Sequence, residues 1–301
     1  HRLGLIQRLA GKRPTGHTGT SEKGGVINQP HQTSSMERAM HISADQLAQL
    51  DRDGFLVLPN RFTPDEVDLM RSRLAVLCTE NHPGNIIERA SGQVRTAMGL
   101  HLRDDVYARV ARHPRLVEPA LQVLGEDAYI QQVKVNVKAA FSGEIWQWHY
   151  DFATHHEEDG VPEPRALNLH IFLDDVTEFN GPLYFVPGSH KTGDHGATLD
   201  TQTTSYPLWV CNEDRVRKLV EDRGIVSAKG PKGTMLIFHD TLVHGSPNNM
   251  SPWDRAIFSV IVNPVSNALQ RPTRPEFKHH QDLTAIVPLE DECLKFASAA
   301  E

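Results

Sequence analysis

Residues Trp146–Asp151 read WQWHYD. On an extended strand, residues two apart share a face, so His149 and Asp151 point at one spot while Tyr150 points away. A strand can hold a metal ion in this way. The surrounding periodicity is that of a β protein. Residues 128–139 alternate, with Tyr129, Val133, Val135 and Val137 on one face and Gln132, Lys134, Asn136 and Lys138 on the other. By itself the polar row reads as a solvated face. Further strands are expected at 166–173, 183–186, 234–238 and 255–263, separated by turn clusters such as NGP at 180 and PGSH at 187.

Helices lead the strands. Ser43 with Gln46 is a capping box opening a short helix that stops at Gly54. Thr63, Pro64 and Glu66 repeat the device, followed by an apolar stripe of Val67, Met70, Leu74 and Leu77. A third helix is expected over 106–124. Short strands after leading helices predict a mainly β fold, a sandwich or barrel with helices on one side.

The chain has 301 residues, 39% hydrophobic and 23% charged, with a net charge of −7. These are globular values, and the acidic balance argues against a nucleic-acid binder. Three dispersed cysteines, Cys78, Cys211 and Cys293, predict neither a disulfide framework nor a zinc ribbon and fit a reducing cytoplasm. No apolar run is long enough to span a bilayer. The expected partner is a small-molecule substrate, and the expected state a monomer or homodimer. Residues 1–35 lack Phe, Trp and Tyr and are expected to be a disordered extension, with Met36 a candidate natural start and 36–301 a single domain.

Seventeen histidines make any one of them uninformative. His149 gains weight from Asp151, and both gain from His244 in FHDTLVHGS, just beyond an expected strand. Two His and one carboxylate form the facial triad of non-heme Fe(II) oxygenases. Arg255 opens the strand RAIFSVIVN and would aim a planar, permanently charged fork into the same cavity, suited to the far carboxylate of 2-oxoglutarate. Trp146 and Trp148 read as packing. His155, His156 and His170 are candidates to support the site from behind.

The phrases WHYDFATHHEEDGVPEPRALNLHIFLDD, NGPLYFVPGSHKTG, HGSPNNMSPWDR and RPEF resemble the phytanoyl-CoA dioxygenase superfamily, and within it the ectoine and free-proline hydroxylases. The resemblance implies a double-stranded β-helix (jelly-roll) core, with Fe(II), 2-oxoglutarate and O2 as cofactor and cosubstrates. It implies His149, Asp151 and His244 as the metal ligands and catalytic centre, and Arg255, Lys138 and Asn136 for 2-oxoglutarate. Substrate would meet Gln132, Arg274 and His155, the last standing where ectoine hydroxylases have a tryptophan. The polar row from Gln132 to Lys138 then becomes a cavity wall. Arg274 is equally readable as a surface arginine before a turn. The activity implied is hydroxylation of an unactivated carbon in a small free amino acid, imino acid or related zwitterion. The same chemistry on a larger natural-product, carrier-tethered or acyl-CoA substrate is the alternative. A hydrolytic zinc enzyme and a jelly-roll binding protein with a vestigial site are the remaining readings.

Overall fold

The computed structural model describes residues 40–193 and 195–295. The expected disordered extension, residues 1–35, lies outside them, as does Met36. The helices α1 (Ala44–Asp53) and α2 (Pro64–Leu77) start at the capping boxes of Ser43 and Thr63. In each, the Ser or Thr oxygen accepts an amide three residues on while the Gln or Glu reaches back. Gly54 ends α1 at φ 86, a left-handed conformation that glycine adopts without strain.

The third expected helix is in fact two, α3 (Asp105–Val110) and α4 (Pro114–Leu124). Pro114 lacks an N–H to continue α3 and drives His113 into extended backbone, so the chain breaks there and restarts with Pro at the first helical position.

Thirteen strands follow in two wholly antiparallel sheets among the described residues. The larger contains β1 (Phe55–Leu58), β2 (Asn85–Ile87), β3 (Val94–Met98), β4 (Ala128–Lys138), β6 (Leu167–Phe172), β11 (Met235–His239) and β13 (Arg255–Pro264), in the order β1-β11-β6-β13-β4-β3-β2. The smaller contains β5 (Trp146–His149), β7 (Leu183–Phe185), β8 (Thr198–Asp200), β9 (Leu208–Val210), β10 (Val226–Ala228) and β12 (His244–Ser246), in the order β10-β7-β12-β5-β9-β8. Together they are the double-stranded β-helix. Helix α5 (Asp151–Asp159) links β5 of the smaller sheet to β6 of the larger, and α6 (Glu213–Arg223) links β9 to β10 within the smaller.

The strands of the larger sheet have two different jobs on their two faces. Leu167, Leu169 and Ile171 of β6, Val133 and Val135 of β4, and Phe258, Val260 and Val262 of β13 pack under Val67, Met70, Leu74, Tyr107 and Leu116 of the helices. Truncating one of the leucines, Ile171 or Met70 to Ala costs about 2–5 kcal/mol. The opposite face carries the polar alternates, and it lines a cavity. All six residues of β6 are therefore buried, although its sequence LNLHIF alternates.

The alternation of β4 is interrupted. Ile261 pairs with Gln132 but Val262 pairs with Ile130, so Gln131 is a bulge that reverses the faces on its N-terminal side. Ile130 consequently joins the helix-covered core. Tyr129 turns to the other face, where its hydroxyl accepts from Asn263 Nδ2 at 3.1 Å. The expected grouping of Tyr129 with Val133 is thus corrected.

Candidate active site

The ladder register sets out the cavity wall as a grid. Across β6, β13 and β4, Asn168 stands beside Ile261 and Gln132, His170 beside Ser259 and Lys134, and Phe172 beside Ile257 and Asn136. Arg255 pairs with Lys138 at the far end. The smaller sheet faces this wall with His149 directly opposite His244 across the β5–β12 ladder.

Asp151 does not continue the β5 strand as the WQWHYD reading expected. The strand ends at His149, Tyr150 is the N-cap, and Asp151 is the first residue of α5. The convergence survives because Tyr150 is still extended, at φ −134 and ψ 137, and buries its ring among Ala153, Val186 and Val243 on the other side. The helix N-terminus adds favourable field for the carboxylate.

The three candidate ligand atoms lie within 4.8 Å of one another. Asp151 Oδ1 is 3.7 Å from His149 Nε2, and its Oδ2 is 3.9 Å from His244 Nε2. His149 Nδ1 donates to the Gln147 carbonyl at 2.6 Å and His244 Nδ1 to the Leu242 carbonyl at 2.8 Å. A carbonyl can only accept, so Nδ1 carries the proton and Nε2 offers its lone pair to the centre. Burial, reinforced by His244, pushes the His149 pKa down to about 3. Burial likewise lowers His244. For Asp151 burial opposes the charge, but His244, Lys134, His149 and His155 outweigh it and hold the carboxyl below its usual range. Neutral imidazoles and an ionised carboxylate are the protonation states a divalent metal requires, so the residues fit an Fe(II) ion.

Arg255 is 1% exposed and lines the same cavity. Its Nε and Nη2 donate to the Gly181 carbonyl at 3.1 and 2.6 Å. Nη1 has no protein partner among the described residues and remains for a ligand. Burial pushes its pKa down to about 9, with Asp174 opposing that fall and Arg95 adding to it. Gly181 is required here: at φ +77, a Cβ would sit 2.7 Å from Lys138 Cδ and 2.9 Å from the Pro247 carbonyl.

Other expected residues are placed as follows. Asn136 lines the cavity and accepts from Thr96 Oγ1 at 3.0 Å. Lys138 is not among the lining residues: its ammonium donates to the Glu144 carbonyl, behind Arg255, because the turn at Gly143 folds over its stem. Gln132 lines the cavity, its Nε2 donating to the Lys278 carbonyl at 2.6 Å while Oε1 has no partner. His155 and His170 line it too, at 2% and 4% exposure. His156 turns away and bonds the Val161 carbonyl.

Arg274 lines the cavity and is no surface residue, at 8% exposure. Its guanidinium, however, grips the fully buried Asp159 through Nε and Nη2. His279 Nδ1 reaches the same carboxylate at 2.6 Å. Asp159 ends α5, the helix that Asp151 begins, so this cluster ties residues 270–280 to that helix. The backbone amides of Arg271 and Thr273 donate to the carbonyls of Asp159 and Glu158.

Trp146 was expected to be packing, but it lines the cavity, with Arg95 stacked on its ring at 4.0 Å and Tyr206 5.4 Å away. Trp148 does pack, against the Tyr150 cluster. Sequence reasoning missed Asn168, Tyr206 and Asp240. Asn168 had a signal, since it is two residues before His170 on one strand. Asp240 is fully buried, and burial together with the charge of Asp151 pushes its pKa well up, against the opposing pull of backbone amides at Ala166 and Thr241.

With this geometry in hand, comparisons place the chain among known proteins. The family model described as phytanoyl-CoA dioxygenase matches residues 50–257. The chain is 37% identical over 264 residues to an L-proline trans-4-hydroxylase of Streptomyces griseoviridis, covering 83% of this chain and 98% of the relative. It is 36% identical over 245 residues to an ectoine dioxygenase of Sphingopyxis alaskensis, covering 77% and 79%. The crystal structure of EctD from S. alaskensis with 2-oxoglutarate and 5-hydroxyectoine superposes with a TM-score of 0.73 at 35% identity, over 83% of this chain and 87% of that one.

Proposed function

This chain belongs to the phytanoyl-CoA dioxygenase family, and from that premise we propose that it is an Fe(II)- and 2-oxoglutarate-dependent hydroxylase of a small free imino acid, amino acid or related zwitterion. One observation carries the reading: two imidazole nitrogens and a carboxylate from separated segments converge within 4.8 Å in the cavity that Arg255 also enters. When bound, Fe(II) with 2-oxoglutarate and O2 supplies oxidative decarboxylation to succinate and CO2, coupled to hydroxylation of an unactivated carbon.

The protein supplies placement and a dry wall. His149, His244 and Asp151 would hold the ion. Arg255 offers its remaining donors to the distal carboxylate of 2-oxoglutarate, with Asn136 beside it on the wall and Lys138 paired with it across the β4–β13 ladder. Gln132, His155 and Arg274 surround the substrate. A small substrate is supported by the relatives, named for proline and ectoine.

The test is succinate release by Fe(II)-loaded enzyme with 2-oxoglutarate and O2 over a panel of proline, leucine, lysine, arginine and ectoine. Stimulated release by one or more is expected. No release with any of them, or turnover with zinc and without 2-oxoglutarate, overturns the reading.

A further inference from the structure

The wall contains a second cationic position, which helps keep Asp151 ionised but has been given no ligand to hold. Lys134 lines the cavity on the same face of β4 as Gln132 and Asn136. It makes no hydrogen bond or ion pair among the described residues, in contrast to Arg274, whose charge is matched by Asp159 with Glu158 3.6 Å away. Beside Lys134 in the grid stands Ser259, and beyond it His170, with Asn168 two residues earlier on β6.

These three are 0%, 4% and 0% exposed. Ser259 Oγ, both ring nitrogens of His170, and both amide atoms of Asn168 lack any partner among the described residues. Buried polar atoms are nearly always paired, so the four unpaired ones on His170 and Asn168, which line the cavity, mark the place of a polar ligand. The wall presents donors from Lys134, His170 and Asn168 together.

Resting on the function proposed above, we infer that Lys134, supported by His170 and Asn168, is a subsite for the substrate's carboxylate. Gln132 completes the subsite for a zwitterion. Its Nε2 is pinned by the Lys278 carbonyl, so the unpaired Oε1, two residues from Lys134 on the same face, is a fixed acceptor for the substrate's ammonium. The cosubstrate's distal carboxylate belongs elsewhere: Arg255 is four residues from Ser259 along β13, roughly 13 Å at the rise of a strand.

The experiment pairs a deletion in the protein with one in the ligand. Binding of L-proline and of L-prolinamide, which lacks the carboxylate charge, is measured on the Fe(II)- and 2-oxoglutarate-loaded protein under argon, for the wild type, Lys134→Gln and Lys134→Arg. The wild type is expected to prefer the acid by about ten- to hundredfold, the size of a charge-assisted contact. Lys134→Gln should reduce the preference to about threefold or less, because the partner of the carboxylate is gone. Lys134→Arg should restore it, and the KM for 2-oxoglutarate should stay at the wild-type value in both. An acid preference unchanged in Lys134→Gln, no preference in the wild type, or a rise in the 2-oxoglutarate KM in place of the L-proline effect overturns the inference. Failure of the proposed function reads differently, as absence of succinate from the wild type across the whole panel.

Discussion

Replacing Arg255 by Gln separates the stability of the empty protein from its affinity for 2-oxoglutarate. The buried guanidinium has no carboxylate within ion-pair distance among the described residues. Its fall from the ordinary 12.5 to about 9 reflects a penalty on the charged form of roughly 5 kcal/mol. Losing its bonds to Gly181 and Ser246 removes about 1–3 kcal/mol. The ligand-free variant should therefore be at least as stable as the wild type in urea melts. Ligand binding moves the other way. At 2-oxoglutarate one hundred times its dissociation constant, the metal-loaded wild type gains about 2.7 kcal/mol, whereas a variant bound about a hundredfold more weakly gains about 0.4 kcal/mol. Paired urea melts with and without 2-oxoglutarate, under argon, measure both quantities. An Arg255→Gln protein stabilised by 2-oxoglutarate as much as the wild type would refute the assignment of this side chain to the cosubstrate.

Further outcomes are expected. His149→Ala or His244→Ala should abolish stoichiometric Fe(II) binding in equilibrium dialysis while leaving the far-ultraviolet circular dichroism unchanged. Asp159→Asn should destabilise the fold by about 3–5 kcal/mol in urea melts, since it leaves the buried Arg274 charge unmatched. The pH dependence of the wild type has a definite sign at this residue: burial opposes the Asp159 charge, but His279 and Arg274 more than offset it and bring the pKa to about 2. A depressed carboxylate contributes stability above its unfolded pKa near 4 and loses it as pH falls toward 2, about 2 kcal/mol in all, and this part of the acid limb should be missing from Asp159→Asn. Trp146, whose ring centre is 6.2 Å from that of His149, should report metal binding by fluorescence, and Trp146→Phe should remove most of the change. Gly181→Ala should raise the KM for 2-oxoglutarate, because the added methyl displaces the carbonyl that orients Arg255.

Much of this was legible before folding. The capping residues Ser43 and Thr63 mark helix starts because the bonds they make span three residues, and the polar row of β4 declares one face because side chains alternate at every step. His149 and Asp151 are two residues apart, and so short a link keeps them together whether Asp151 ends a strand or begins a helix. The β4 bulge was not legible, since it depends on how β13 pairs alongside.

The chain by itself thus determined which residue types line the site and which local elements present them, because covalent geometry and periodicity act over a few residues. Only the tertiary structure decided which of those groups neutralise one another. Arg274 is matched by Asp159, 115 residues away in the chain, Lys138 is turned to the Glu144 carbonyl by a folded-back turn, and Lys134 makes no hydrogen bond or ion pair among the described residues. The physical reason is that a charge's role depends on what is desolvated beside it, and that is fixed by long-range packing.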